Sequence, residues 1–548
     1  MLPWRRDLEE MYAIHCDVPP GVEAIDVSFD FILPPQAQRF SSGASSSAKL
    51  LVLSWNQVVL YPDTAKPGDI TVSPSLTLPE GWQYASALTA AGNSGRPIRF
   101  APVSLTTLVD SPVMSGAYLR RIDLTPASGA PHFLNVVSDN ESALAMSADQ
   151  IAAHRRLVVE ASALFGARHY DRYDFLYTLS DQVAHFGLEH HQSSDDRVAE
   201  RTLLDDDLRK ISADLLPHEL VHSWNGKYRR PAGLATGDFS TPMKGELLWV
   251  YEGLTQYLGK VLTARSGLRT PEEFRDDLAL LTARLDNRPG RQWRPLQDTG
   301  DEAQLLYYGR SDSDALRRSV DFYDEGDLIW LEADVTIRQL TKGKKSLDDF
   351  CRRFHGGENG APAVKPYTFE DVVSALGEIA PYDWKTFFTT RLQSLAPHAP
   401  MVGIEKSGWR LAYRNTPNAL QKARDGVNES TDLRYSLGFS LREDGTLSDV
   451  IPGTPAKAGA ASGMKIIAVN GRKYSADIIR DALKAGLKSS APLELLAENG
   501  EYYQTLAVDY HGGERYPYLE RDSSQPDVLS SIIRGLVDSK PATAPKKP

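Results

Sequence analysis

The chain has 548 residues, 41% hydrophobic and 24% charged, which is more than one core can organise, so three or four domains are expected. A net charge of −11 and a pI near 5.6 exclude a concentrated basic face for nucleic acid, and the short clusters Arg317-Arg318 and Lys342, Lys344, Lys345 read as solvated surface. No run of about 18 apolar residues predicts a membrane span, the start MLPWRRDLEE lacks the apolar centre of a signal peptide, and Cys16 and Cys351 make neither a metal pair nor a disulfide framework.

Up to about residue 145 the pattern alternates with period two, as in VEAIDVSFDFIL (22–33), KLLVLSWNQVVLY (49–61) and PHFLNVVS (131–138). Breaks such as Ser41-Ser42-Gly43 separate these runs, which predicts a β-sandwich-like domain. At Ser147 the period changes. SADQIAAHRRLVVEASALFG has a serine N-cap, an apolar stripe and a closing glycine, so a helix is expected there. A strand, YDFLYTLS (173–180), and an irregular stretch, DQVAHFGLEHHQS (181–193), follow. Residues 203–395 read as mostly helical. Between 433 and 510 the order becomes strand, strand, short helix, strand, helix, strand pair. No internal repeat is evident, and the end, PATAPKKP, has the composition of a disordered tail.

LLPHELVHSW (215–224) carries the chemistry. On a helix, His218 and His222 lie one turn apart on one face and can reach one ion. Glu219, about 100° around the helix from His218, falls beside an ion's water rather than on the ion, where a general base is needed. Chance alone places HExxH somewhere in such a chain in roughly 2% of cases, so the motif requires partners. A catalytic zinc site takes three protein ligands and an exchangeable water. The best third ligand is Glu252 in LLWVYEGLTQYLG (247–259), a carboxylate in an otherwise apolar stretch, with Gly253 allowing a close backbone approach. Glu246 competes, but sits in a first helical turn where carboxylates are common. His190 and His191 are rejected as a second metal site because adjacent strand residues face opposite ways.

HELVHSWNGKYRRP followed by LLWVYEGLTQY resembles the gluzincin zinc peptidases, and more narrowly the glycyl aminopeptidase family of PDZ-containing gluzincins. The resemblance implies a multidomain α+β protein: a β-sandwich-like domain over 1–145, a thermolysin-like, mostly helical catalytic domain over 146–398, a connecting segment over 399–432, a PDZ domain over 433–512 and a tail over 513–548. It implies one Zn²⁺ per chain on His218, His222 and Glu252, with Glu219 as base. FGLEH (186–190) is similar to the G-x-M-E-N signature, whose edge strand binds the substrate backbone, here at Gly187, and whose glutamate, here Glu189, holds a free α-amine. Phe186 and His190 depart from that signature. YDEGDLIW (323–330) is similar to the family's Y-x-x-G stretch, which makes Tyr323 the oxyanion donor, with Tyr307, Tyr308 and Phe322 as neighbours.

The implied activity is zinc-dependent removal of N-terminal glycine or alanine from peptides with a free N-terminus. A zinc endopeptidase and an inactive PDZ scaffold are the alternatives. SLGFSL (436–441) resembles a PDZ carboxylate loop, with Leu437, Gly438 and Phe439 receiving peptide C-termini, or else belongs to a module that only packs on the catalytic domain. The family also implies further strands and a secretion signal ahead of RRDLEEMYAIHCDVP. On that expectation the first domain lacks its first strands and the protein works in the periplasm or outside the cell.

Overall fold

Alternating apolar residues become strands only where a ladder partner exists, and the first unit of the chain shows both outcomes. In the computed structural model, which describes residues 1–33, 43–92, 96–307, 309, 314–454 and 459–537, Trp4–Arg6 (β1) pairs antiparallel with Ile14–Cys16 (β2). Residues 22–33, predicted as a strand, are in none: they have no ladder partner among the described residues, and Ile25, Val27, Phe29 and Phe31 are exposed. The Ser41-Ser42 break, the PAKA part of the 452–459 loop and the closing PATAPKKP lie outside the described residues.

The remainder of the chain forms a second unit. Ser45–Ser46 (β3), Leu50–Leu53 (β4), Gln83–Ala85 (β5) and Val113–Gly116 (β6) make an antiparallel sheet in the order β3-β4-β6-β5. Tyr118–Asp123 (β7) and His132–Ser138 (β8), assigned from sequence to the N-terminal domain, instead open a second sheet with Tyr173–Leu179 (β9), Phe186–Glu189 (β10) and Ser193–Val198 (β11). Its order is β7-β8-β9-β11-β10, with β8, β9 and β11 parallel and β10 antiparallel at the edge. Leu50, Val52, Ala85 and Met114 of the first sheet pack on Val137 and Leu176 of the second. The two-layer sandwich is thus shared between the β-rich and the helical parts.

Helix α1 (Ala148–Phe165) makes the crossover from β8 to β9. Its ends are as predicted: Ser147 and Gln150 form a capping box, and Gly166 closes the helix at φ +75°. The helical run that opens the 203–395 stretch is broken over 203–224: one helix covers Asp206–Ser212 and α2 spans only Leu215–His222. Pro217 explains the break, since proline fits a first turn but clashes with the carbonyl four residues back in a continuous helix. Leu248–Tyr251 (α3) and Gly253–Ser266 (α4) meet at Glu252, and Pro271–Asp286 (α5) and Asp324–Leu340 (α6) complete the helical frame.

Lys260 of α4 is buried between Asp277 of α5 and Asp327 of α6, each at 3.0 Å. Helices α4 and α6 cross on bare backbone. A Cβ at Gly326 would stand 2.7 Å from the Gly253 Cα, and one at Gly253 would stand 2.7 Å from the Phe322 carbonyl oxygen. The close approach expected at Gly253 is therefore made by α6. Among the described residues no helix is long and apolar enough to cross a membrane.

Further on, Trp409–Arg414 (β12) and Ala419–Val427 (α7) precede a β unit with its own apolar cluster. Ser430–Leu433 (β13), Phe439–Arg442 (β14) and Leu447–Val450 (β15) form one sheet. Lys465–Val469 (β16), Arg472–Lys473 (β17), Leu493–Asn499 (β18) and Tyr502–Val508 (β19) form another, with α8 (Ala476–Gly486) between β17 and β18. The segment read as a tail from 513 contains ordered elements. Tyr516–Arg521 (β20) pairs with β12, and Val528–Ile532 (α9) buries Leu529 and Ile532 in the main core, where Arg265 donates to the Ile532 carbonyl at 2.7 and 3.0 Å.

Substituting Gly326→Ala puts a methyl group against the Gly253 backbone, an overpacking that costs about 1–3 kcal/mol. Thermal denaturation should show a lower Tm; an unchanged Tm would mean that the crossing is not tight.

Candidate metal and peptide site

Helix α2 presents His218 and His222 to the junction of α3 and α4. The two Nε2 atoms stand 3.1 Å apart, and Glu252 Oε2 lies 3.1 Å from His222 Nε2 and 3.5 Å from His218 Nε2. Three donors held at about 2.0–2.1 Å by one tetrahedral ion would be separated by about 3.3 Å, so the spacing fits zinc. The donor set, two imidazoles and a carboxylate, is that of a catalytic site with one open position. His222 Nδ1 lies 2.9 Å from the Asn225 carbonyl oxygen, and the hydrogen bond donated there leaves the Nε2 lone pair facing the cluster. Asn225 in turn donates from Nδ2 to the Val250 carbonyl at 2.8 Å and to Thr255 Oγ1 at 3.0 Å, tying the end of α2 to α3 and α4. Gly259 makes the helix contact possible, since a Cβ there would lie 3.0 Å from the His218 Cα.

Two carboxylates compete for the third position. Donor atoms of His218, Glu219 and His222 also lie within 4.8 Å of one another. Glu252 is the better ligand because one of its oxygens faces both imidazole nitrogens. Glu219 instead turns toward β10: a Cβ on Gly187 would stand well inside van der Waals contact distance of Glu219 Oε1. The edge strand thus crosses the Glu219 carboxyl at bare-backbone distance.

Charge in this cavity is unbalanced. Burial pushes the Glu219 carboxyl well above the usual range, and the charges of Asp196, Glu189 and Glu252 push it further. Burial also drives Asp196 well up. Glu252 behaves oppositely: burial would raise it, but His222 and His218 outweigh that and hold it at about 2. Burial depresses His222, yet Glu252 outweighs it and the net shift is upward. Glu189, Glu219 and Glu252 crowd the two imidazoles, with Asp196 acting on Glu219 from behind, and such a cluster is relieved by shared protons or by a cation.

Glu189 ends β10, and the Tyr251 hydroxyl donates to its Oε1. Burial raises this carboxyl, but His222 and Lys227 outweigh that, so the net shift is downward. The Tyr251 ring lies 4.9 Å from the His222 ring, linking the imidazole cluster to Glu189. Tyr323, immediately before α6, lays its ring 6.0 Å from that of His218, and its hydroxyl is 2.6 Å from the Tyr307 hydroxyl. Burial, then Glu252, then Tyr307 push the Tyr323 hydroxyl up, so it stays a donor. Phe322 is buried and stacks on Tyr323, while Tyr308 lies outside the described residues. His190 Nδ1 and the His191 backbone N–H both meet the Asp110 carboxylate, which also takes Lys227 Nζ at 2.7 Å.

The structure therefore gathers His218, Glu219, His222, Glu252, Gly187, Glu189 and Tyr323 in one place. It leaves Leu437, Gly438 and Phe439 in the C-terminal β unit, where Leu437 and Phe439 are fully buried. The contacts by which Tyr251 and Asn225 position the site are not legible in the sequence, where Asn225-Gly226 reads only as a helix C-cap. Their positions next to Glu252 and after HSW are the only signal they give.

Residues 1–117 match the model of the Peptidase M61 N-terminal domain, and residues 212–329 match that of the M61 glycyl aminopeptidase. The second match encloses both histidines, Glu219, Glu252 and Tyr323, while Glu189 lies ahead of it. The fold is similar to that of an aminopeptidase N family protein from Idiomarina loihiensis, at 19% identity and a TM-score of 0.72 over 91% of this chain and 85% of that one. An M1 zinc metallopeptidase from Deinococcus radiodurans is matched at 15% identity and a TM-score of 0.43, over 67% and 75% of the two chains. No curated protein matches the chain.

A methyl group at Gly187 must displace Glu219. Gly187→Ala should lower kcat by on the order of 10²-fold, the cost of an ångström-scale misplacement, with bound zinc unchanged. Activity within about twofold of wild type would show that Glu219 does not depend on this contact.

Proposed function

Because the chain carries both domains of the M61 glycyl aminopeptidase family and is a gluzincin-type metalloaminopeptidase, we propose that it removes N-terminal glycine or alanine from short peptides at one zinc ion held by His218, His222 and Glu252. The observation that carries this reading is the meeting of Glu252 Oε2 with both imidazole nitrogens. Zinc bound there would polarise the scissile carbonyl and acidify a water.

The chain's own residues do the rest. Among the described residues, edge strand β10 has one side without a ladder partner, which suits strand addition by a substrate backbone beside Gly187. Glu189 takes the substrate's α-ammonium in a charge-assisted hydrogen bond, and Tyr251 keeps that carboxylate in place. The Glu219 carboxylate accepts the proton of the attacking water and returns it to the leaving amine. Tyr323 donates its hydroxyl hydrogen to the carbonyl oxygen as negative charge develops, with Tyr307 orienting it. The preference for glycine or alanine follows the family resemblance. The same resemblance, with the element order over 430–508, supports a PDZ-like reading of the C-terminal β unit.

Acetylating the amine of glycine p-nitroanilide removes the contact with Glu189. We expect a loss of about 1.5–3 kcal/mol, on the order of 10- to 100-fold in kcat/KM, and a smaller difference between the two substrates in Glu189→Gln. Equal hydrolysis of free and acetylated substrates by wild type would instead indicate an endopeptidase. Tyr323→Phe should cost on the order of 10²–10³-fold in kcat with little change in KM; full activity would remove Tyr323 from the mechanism.

A further inference from the structure

We infer that the peptide-accepting edge of the C-terminal β unit is occupied in cis by the chain's own strand β13, residues 430–433, so that this unit's partner is part of the same molecule. The inference rests on the PDZ-like reading of that unit. A strand-addition site needs a strand with one open edge and unpaired N–H groups at its end to receive a carboxylate. Strand β14 lacks the open edge. Leu433, Asp432, Thr431 and Ser430 pair with Phe439, Ser440, Leu441 and Arg442 on one side, and β15 pairs on the other.

The N–H groups are also engaged. Those of Ser436, Leu437 and Gly438 all donate to the Leu433 carbonyl oxygen, at 3.1, 2.8 and 3.1 Å. One carbonyl oxygen with three donors stands where a ligand carboxylate would stand. Leu433 itself is fully buried in the cluster that includes Ile479 and Leu483 of α8, as a ligand's terminal apolar side chain would be. The far side of the loop is closed too. The Gly438 carbonyl accepts the Ile451 N–H at 2.7 Å, and Gly438 adopts φ +90° with Thr454 Oγ1 in the space a Cβ would need.

Strand β13 is anchored beyond the unit. Asp432 is bidentate to Arg434 at 2.9 and 2.6 Å, and β13 follows α7, whose Arg424 donates to Asp277 at 2.8 Å. Asp277 pairs with Lys260 on α4, the helix that begins at Gly253, next to Glu252. An external C-terminus would have to displace a covalently attached strand that is also tied to the catalytic helices, which weakens its apparent affinity in proportion to the closed fraction.

The test uses the full chain and an N-terminally fluorescein-labelled pentapeptide ending in valine with a free carboxylate, blocked by its label against aminopeptidase action. Binding is read by anisotropy for wild type and Leu433→Ser, hydrogen exchange is followed over 430–440, and hydrolysis of glycine p-nitroanilide reports that each protein is folded. The expected result is slow exchange and no saturation in wild type, and fast exchange with binding at least about tenfold tighter in the variant. Asp432→Ala, which leaves the apolar cluster intact, should shift both readouts the same way. Wild type binding the peptide as tightly as the variant would overturn cis occupancy while leaving the PDZ-like reading intact. Fast exchange in the variant with no binding by either protein would overturn both.

Discussion

Everything in the catalytic half of this protein depends on α2 and the α3–α4 junction meeting closely enough for one carboxylate oxygen to face two imidazole nitrogens. Side chains alone do not produce a 3.1 Å approach between His222 and Glu252. The backbone has to be brought there, and glycine provides the clearance: Gly259 beneath His218, and Gly253 and Gly326 where α4 crosses α6. Asn225 then locks the end of α2 to α3 and α4. The same crossing sets Tyr323 over His218, because Tyr323 is the residue from which α6 starts. The convergence of Glu252 on the two imidazoles and the position of Tyr323 are consequences of one packing constraint.

A second consequence is electrostatic. Close packing buries the carboxyl groups of Glu189, Glu219, Glu252 and Asp196 in low-dielectric surroundings. Their environments push them apart: Glu252, facing two imidazoles, stays ionised, whereas Glu219 is raised by burial and then by the neighbouring carboxylates. Groups driven in opposite directions are suited to different tasks, one to holding a cation and one to carrying a proton. Lys227 is held by Asp110 at 2.7 Å.

Much of this was legible in the chain. His218, Glu219, His222 and Glu252 come together as the i,i+4 spacing and the lone carboxylate in an apolar stretch suggest, and the Ser147 and Gly166 signals mark the ends of α1 to the residue. What escaped was non-local. Residues 22–33 alternate like a strand, but alternation does not supply a partner. Strands β7 and β8 read the same whether they close the first sheet or open the second, since period two does not name the neighbour. Pro217 was inside the quoted motif, yet its power to split the 203–224 helix was outweighed by the apolar pattern around it. Tyr251 and Asn225 act through contacts that only the fold creates.

The central claim, that Glu252 holds the metal and Glu219 carries the proton, is tested most directly by zinc content in Glu252→Gln and Glu219→Gln, measured by elemental analysis alongside hydrolysis of glycine p-nitroanilide. The account predicts that Glu219→Gln keeps one zinc per chain and loses activity, while Glu252→Gln loses both. Zinc retained in Glu252→Gln but lost in Glu219→Gln would reverse the two roles and contradict the account.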